Sequence, residues 1–349
     1  MKILVAGKFD IDYNRTKIIL DGLLAQPDVS LSFYNYKEKS KLNLAALRKA
    51  CKQADVIFLP SFTHSDVLRI KLLSGKPVIF DPLISRYLTK VFDYKKVSRY
   101  SPRALKNFLK DKISMSMADL VLCDTQAHLQ YFHETIGIPL HKLQILPVGV
   151  NTDDFKPAPQ QHTGNTFIAG FYGGFIPLQG TKMIVETANY LREHTDIHFR
   201  LIGDGFEYKA MKKLAEQYQL TNISFPGWVD YNKLAEEVNA FDICLGIFGE
   251  TQKADVVIPN KIFHYASLRK AIITKDTPAI REIFEDGRDI LLCKNTPADI
   301  AEKILLLKND PAQREQIATR CYEKITTSYN HVAIGKKFLM MATKLLHTL

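Results

Sequence analysis

The residues with most chemical potential lie between Ile243 and Leu292, in ICLGIFGETQKADVVIPNKIFHYASLRKAIITKDTPAIREIFEDGRDILL. An apolar strand-type run, Asp242 to Ile247, leads into a polar loop, and Pro259 then opens a helix predicted to end near Arg269–Lys270. A second apolar strand, Ala271 to Thr274, and another helix from about Thr277 follow. Proline at a helix start gives up a donor that would be unpaired anyway. The other first-turn N–H groups and the positive end of the helix dipole face outward and can hold an anion. Asn260 and Lys261 stand on that turn. The pattern predicts a phosphate or diphosphate site at the carboxyl end of a parallel strand, where open α/β sheets bind ligands.

Other loops carry weaker signals. Gly173 and Gly174 (YGGFIPLQG) follow a strand, and with no Cβ in the way their backbone can approach a ligand closely; a plain structural turn is the competing reading. Gly203, Asp204 and Gly205 close the next strand, again as a ligand loop or a tight turn. Trp228 and the backbone of Val229 follow Pro226–Gly227 and could flank a nucleobase, or the indole could pack on a helix. In the first half Gly7 ends the first strand, where a glycine admits substrate. Asp81 ends the fourth strand as a group that could accept a proton, bind sugar hydroxyls or cap a helix. Ser85 shares its loop, and His64 ends the third strand as a base or an ordinary loop residue.

These residues need a scaffold, and the apolar pattern supplies one. Strands are predicted at Lys2–Ala6, Leu31–Asn35, Asp55–Leu59, Pro77–Phe80, Asp119–Cys123 and Gln144–Val148. A second set follows at Thr166–Phe171, His198–Ile202, Asn222–Phe225, Asp242–Leu245, Ala271–Thr274 and Asp289–Leu292. Short apolar strands alternating with helices indicate α/β structure with parallel sheets covered on both faces. Two such series give two Rossmann-like domains, expected over 1–153 and 165–329. A Pro-rich, polar link spans 147–164, and the chain is helical after Pro311. Ala333, Phe338, Leu339, Ala342 and Leu346 form a helical face able to pack back on the first domain, giving it residues 330–349 as well.

Composition sets the outer limits. A chain of 349 residues exceeds the usual single-core size, and 46% hydrophobic with 24% charged residues suits a globular enzyme. Five scattered cysteines without CxxC spacing argue against disulfides or zinc. No apolar run reaches the ~18–20 residues of a membrane span, and the amino terminus enters a strand directly, so a cytoplasmic location is expected. The net charge of +10 suggests an anionic partner: nucleotide, anionic lipid or nucleic acid. Nucleic acid is set aside because no recognisable binding module is present. The stretch Arg86–Lys112 interleaves basic side chains with Leu88, Val91, Phe92, Tyr100, Leu105, Phe108 and Leu109. It reads either as a solvated basic helix or as an interfacial surface for the inner face of an anionic membrane.

At this point GDG after a strand, FPGWV, and IPNKIFHYASLRKAIITKDTPAIREIFEDG resemble the donor-binding domain of the family 4 glycosyltransferases of GT-B architecture, in order and spacing. The resemblance is specific from about Phe167 to Leu292 and looser across LVAGKFD, KPVIFDP and LVLCDT. It implies two Rossmann-like domains facing a central cleft, a nucleotide-sugar donor on the second and a glycan or lipid-linked acceptor on the first. It also implies retention of anomeric configuration, no bound metal and no cofactor beyond the donor. Three positions depart from the family. Val256 and His264 stand where a Glu pair brackets the donor helix, Gly174 and Gln179 where an Arg and a Lys clamp the diphosphate, and Asp81 where a His ends strand four.

The reading that follows is a retaining glycosyltransferase of surface polysaccharide synthesis. Gly173, Gly174, Gly203, Asp204, Gly205, Val229, Asn260, Lys261 and His264 serve the donor, with His264 on the ribose. Gly7, His64 and Ser85 line the acceptor side, and Asp81 and Lys261 are the catalytic candidates. Two rivals use the same scaffold: a catalytically silent nucleotide-binding protein, favoured by the missing Glu pair and the missing Arg/Lys clamp, and a nucleotide-sugar epimerase. A dehydrogenase fits poorly, because neither half has GxGxxG after its first strand.

Overall fold

The structure is a computed structural model that describes residues 1–36, 42–159 and 166–348. Positions 160–164 of the expected link, the expected domain start at 165 and Leu349 lie outside the described residues. The chain divides into two units, 1–149 with 329–349, and 150–328.

The first unit holds strands β1 (Lys2–Gly7), β2 (Ser30–Asn35), β3 (Val56–Leu59), β4 (Val78–Phe80), β5 (Leu120–Cys123) and β6 (Leu143–Ile145). Between them run helices α1 (Asn14–Leu24), α2 (Leu44–Gln53), α3 (His64–Ser74), α4 (Pro102–Met117) and α5 (Gln126–Tyr131). The strands are parallel in the order β2-β1-β3-β4-β5-β6. VIFL of β3 and LVLC of β5 are buried at every residue, because helices cover both faces of a parallel sheet. The edge strand β2 carries no fully buried residue.

The second unit repeats the design with β7 (Phe167–Tyr172), β8 (Ile197–Ile202), β9 (Ile223–Gly227), β10 (Ile243–Leu245), β11 (Ala271–Lys275) and β12 (Leu291–Cys293). Its helices are α6 (Thr181–Tyr190), α7 (Tyr208–Gln217), α8 (Tyr231–Asn239), α9 (Gln252–Val256), α10 (Asn260–Ser267), α11 (Pro278–Arg281), α12 (Pro297–Asn309) and α13 (Pro311–Ser328). The order β12-β11-β10-β7-β8-β9 places a topological switch between β7 and β10. The first unit has its own switch between β1 and β3. Neighbouring connections leave a switch in opposite directions, which opens a crevice at the carboxyl ends of the strands.

Every predicted strand is present with edges moved by a few residues, whereas several helical expectations need correction. Pro259 is the residue before α10 rather than its first, and α10 ends at Ser267, ahead of Arg269, whose φ is +54°. The helix after Thr277 is one short turn, α11. The basic stretch is not one helix. It is a π-helical turn (Leu88–Asp93), an irregular segment, and then α4, which Ser101 caps by accepting the Ala104 N–H.

The final helix, α14 (His331–Thr348), returns to the first unit and lies against α1. Its buried stripe is Ile334, Gly335, Phe338 and Ala342. The predicted face caught Phe338 and Ala342, while Ala333, Leu339 and Leu346 are only half-buried. Two glycines set the stripe: a Cβ at Gly335 would stand 2.0 Å from the Gly22 carbonyl oxygen, and one at Gly22 2.0 Å from that of His331. Side chains at either position would hold the helices apart, and Phe338 could not reach Phe58, whose ring centre lies 4.9 Å from its own.

Residues 150–158 are more than a link. Phe155 is buried, its carbonyl accepts the Ser267 hydroxyl at 2.6 Å, and the Asn239 amide bonds the backbone of Lys156 and Ala158. The five cysteines are buried free thiols. No helix of the described residues is long and apolar enough to cross a membrane.

Candidate functional site

In the second unit the chain ends of β7, β8 and β10 crowd together on glycines. The Gly173 N–H reaches the Ile202 carbonyl at 2.9 Å, and the Phe175 N–H reaches that of Asp204 at 2.9 Å. Gly203, at φ +131°, passes so close to Gly173 that a Cβ would stand 1.9 Å from its carbonyl oxygen. Gly205 similarly abuts the backbone of Phe175. Gly174 differs: nothing comes nearer than 3.8 Å to its Cβ position, so its face is open. The paired-glycine loop is therefore half scaffold and half accessible backbone. Asp204 is exposed, and its carboxylate accepts the following Gly205 N–H at 2.7 Å.

α10 rises beside this loop. Pro259 gives its first turn no side-chain cap, and Asn260 is half-buried there. Tyr265 ties the helix to β7 by accepting the Tyr172 N–H on its hydroxyl at 2.9 Å. Lys261 is buried, yet its ammonium has no hydrogen-bond partner among the described residues. The Nζ rests 3.5 Å from the centre of the Phe171 ring and would be 2.7 Å from a Cβ placed on Gly173. Burial pushes its pKa well below the ordinary lysine value, with the Cys244 thiol acting in the opposite sense. A desolvated lysine without a carboxylate is a costly arrangement that an arriving anion would relieve.

His264 sits one turn further along α10, fully enclosed. Its ring stacks on Phe155 at 3.8 Å, and Nδ1 bonds the Tyr172 hydroxyl. Nε2 is buried without a partner, and burial lowers the pKa to about 3, so the imidazole is neutral. Gln179 Oε1 and Thr181 Oγ1, in the loop that packs on Phe248, are likewise buried and unpartnered. Val229 is half-buried at the end of β9, and Trp228 is 73% exposed rather than packed on a helix.

In the first unit the structure separates the predicted residues into two networks. Asp81 is fully buried and paired with Arg15, Nε to Oδ2 at 2.6 Å, while its other oxygen accepts the Leu83 N–H at 2.9 Å. Arg15 also donates to the Leu146 carbonyl at 3.0 Å. The carboxylate thus holds a guanidinium and a turn. Ser85 and His64 belong together through Asp111, a carboxylate that α4 turns inward. The Ser85 hydroxyl donates to Asp111 at 2.7 Å, and His64 Nε2 lies 3.5 Å from its other oxygen. Burial, reinforced by the cations Arg86 and Lys110, lowers the His64 pKa to about 3, and burial raises that of Asp111 to about 6. Gly7 is buried at the end of β1 with φ +122°, and a Cβ there would meet the Thr63 methyl at 2.8 Å. Of these groups, Arg15, Asp111, Phe155 and Phe171 were missed; burial of each depends on partners far away in sequence.

Comparison with known proteins places this geometry in context. Residues 181–339 match the profile of the family described as glycosyl transferase-like. An uncharacterized glycosyltransferase of Methanocaldococcus jannaschii is 25% identical over 225 residues, covering 61% of this chain and 57% of the relative, so little more than half of the relative's length is matched. The two-unit fold is that of GT-B glycosyltransferase structures. Anabaena HepE, solved with UDP and glucose, superposes with a TM-score of 0.76 at 14% identity, covering 99% of this chain and 100% of that one. Sucrose-phosphate synthase from Thermosynechococcus elongatus gives 0.76 at 14% identity, covering 100% and 99%.

Proposed function

We propose that the chain is a glycosyltransferase that moves a sugar from a nucleoside diphosphate sugar to a glycan or lipid-linked acceptor, with retention of anomeric configuration and without a bound metal. The observation that carries the reading is the unpartnered Lys261 ammonium beside Gly173, on the first turn of α10 at the switch between β7 and β10. Diphosphate is the ligand class that satisfies an ammonium, a helix start without a side-chain cap and an open glycine backbone together. The match to the glycosyl transferase-like family over 181–339 and the UDP complexes of the similar fold support a uridine diphosphate sugar as donor.

In the proposed reaction the bond from the anomeric carbon to the diphosphate oxygen breaks as the acceptor hydroxyl oxygen bonds that carbon. The hydroxyl proton ends on the departing diphosphate. Negative charge grows on the leaving group, and Lys261 with the α10 amides stabilises it in a water-poor setting, where such fixed donors are most effective. Gly174 offers the close backbone approach, and Trp228 with the Val229 backbone is available to a base at the end of β9. His264, held neutral between Phe155 and Tyr172, shapes the pocket floor and presents Nε2 as its remaining polar atom.

Two departures favour the silent nucleotide-binding alternative: no carboxylate occupies the Val256 and His264 positions, and Gly174 and Gln179 stand where an Arg and a Lys would clamp the diphosphate. The experiment that decides is incubation with a panel of nucleoside diphosphate sugars, following nucleoside diphosphate release with and without glycan acceptors. Slow donor hydrolysis in the native chain, reduced about a hundredfold or more in Lys261→Met, supports the transferase reading. Tight UDP binding with no release from any sugar would leave the silent protein as the answer.

A further inference from the structure

The segment from Tyr94 to Ile113 presents one sign of charge and an apolar stripe together. Lys95, Lys96, Arg99, Arg103, Lys106 and Lys110 are all exposed. The only acidic residues in or next to it, Asp93 and Asp111, are buried in the first unit. α4 buries Ala104, Asn107, Asp111, Ser114 and Met115, so its opposite face carries Leu105, Leu109 and Ile113 one turn apart, all exposed. Just before α4, Tyr100 is 85% exposed and Arg99 lies against its ring, 5.0 Å from the centre. The neighbouring α3 adds exposed Leu68 and Leu72. A cavity of about 480 Å³ opens in this region, walled by Tyr87, Tyr100, Pro102, Leu105 and Phe108, with Arg99 as its charged member.

A water-facing helix has no use for leucine and isoleucine at every fourth position ringed by lysines. A protein partner would have to be strongly acidic and apolar at once. A bilayer containing anionic lipid offers both properties in one surface: phosphates at the level of the ammonium groups and hydrocarbon beneath. Long basic side chains can reach the phosphates while their stems lie along the apolar stripe, and an exposed tyrosine beside an arginine suits the interface.

We propose that the face formed by residues 94–113 docks this protein on an anionic lipid surface, with Leu105, Leu109 and Ile113 inserted and the basic residues on the headgroups. The cavity beside Arg99 takes a length of acyl chain whose headgroup phosphate meets the guanidinium. This assignment is independent of the donor chemistry assigned to Lys261.

The test is flotation of the full chain with phosphatidylcholine vesicles containing no phosphatidylglycerol or a large fraction of it. Three variants are compared. Arg99→Glu/Lys106→Glu/Lys110→Glu removes the headgroup contacts, and Leu105→Ser/Leu109→Ser removes insertion. Lys209→Glu/Lys213→Glu reverses two exposed lysines of α7 in the other unit. The native chain is expected to float only with phosphatidylglycerol. The charge variant should lose about tenfold or more of its partitioning and the serine variant several-fold, while the α7 variant stays close to native. Circular dichroism confirms that each variant is folded; a misfolded serine variant is replaced by Leu109→Ser alone. Three results overturn the proposal: no flotation of the native chain, equal loss in the α7 variant, or binding to heparin or RNA as strong as to vesicles with no dependence on Leu105 and Leu109.

Discussion

Lys261 holds its ammonium 3.5 Å above the Phe171 ring, with the Tyr172 ring centre 5.9 Å away, and no hydrogen-bond partner meets that charge among the described residues. A cation over a ring keeps ~2 kcal/mol of the interaction it gave up in leaving water, far less than its hydration. Phe171 thus parks the side chain where an anion on the α10 start can collect it. Lys261→Met keeps the stem and deletes the charge. UDP affinity by calorimetry should fall about tenfold or more, and the unliganded protein should melt no lower than native. An unchanged dissociation constant would remove Lys261 from the donor site.

The same lysine ties binding to pH. Its folded pKa is lowered from the ordinary value of 10.5, so between the two values the unfolded chain carries a proton that the folded chain does not. Stability from this group therefore rises with pH across that window. A diphosphate favours the charged form, so UDP should bind with net proton uptake where the free lysine is neutral, and affinity should weaken as pH rises. Calorimetry in buffers of different ionisation enthalpy reads the proton directly; Lys261→Met should show none of it.

Acid behaviour follows from the two buried imidazoles. His64 and His264 both have folded values near 3 against an ordinary 6.5, so each contributes stability above 6.5 that is lost as pH falls toward 3. Asp111, raised to about 6, acts oppositely: its contribution is present at low pH and fades as pH rises through 6. His264→Phe should flatten the acid limb of a denaturant-stability profile. A profile identical to the native one would place charge on His264 already in the folded state.

Gly203 and Gly174 separate scaffold from contact. Gly203→Ala drives a Cβ to 1.9 Å from the Gly173 carbonyl oxygen at φ +131°, and should lower the melting temperature by several degrees. Gly174→Ala meets nothing within 3.8 Å, so its melting curve should stay native while UDP affinity drops if the backbone approaches a ligand there. Equal affinity for Gly174→Ala and the native chain would mean that the loop does not face the diphosphate.

The Arg15–Asp81 pair distinguishes architecture from catalysis. Arg15→Met leaves a buried carboxylate alone and should cost about 3–5 kcal/mol in urea unfolding, whereas Arg15→Met/Asp81→Leu should recover much of that loss. Substantial transferase activity in the double variant would show that Asp81 serves the fold alone.

The sheets were readable because parallel strands covered on both faces leave unbroken apolar runs such as VIFL and LVLC, which little else produces. The α10 start was readable because proline, asparagine and lysine announce it locally. What escaped depends on distance along the chain. Arg15 and Asp81 are separated by 66 positions, and nothing near either indicates the pairing. Phe155 lies in a proline-rich polar stretch that gives no sign of a buried ring under His264. Asp111 stands among lysines and looks like a solvated counter-charge until α4 turns it inward. The short π-helical turn before α4 has no local signature, so the basic stretch reads as one continuous helix.

The glycine-to-glycine crossing of α14 on α1 has a consequence for biosynthesis. The segment that completes the first unit's interior is translated only after all of the second unit. The earlier-made half must wait on the ribosome with Ile18, Leu23 and Phe58 uncovered, while the later-made half can finish on its own. A nascent chain halted before residue 331 should therefore be a chaperone client in its first portion and protease-resistant in its second.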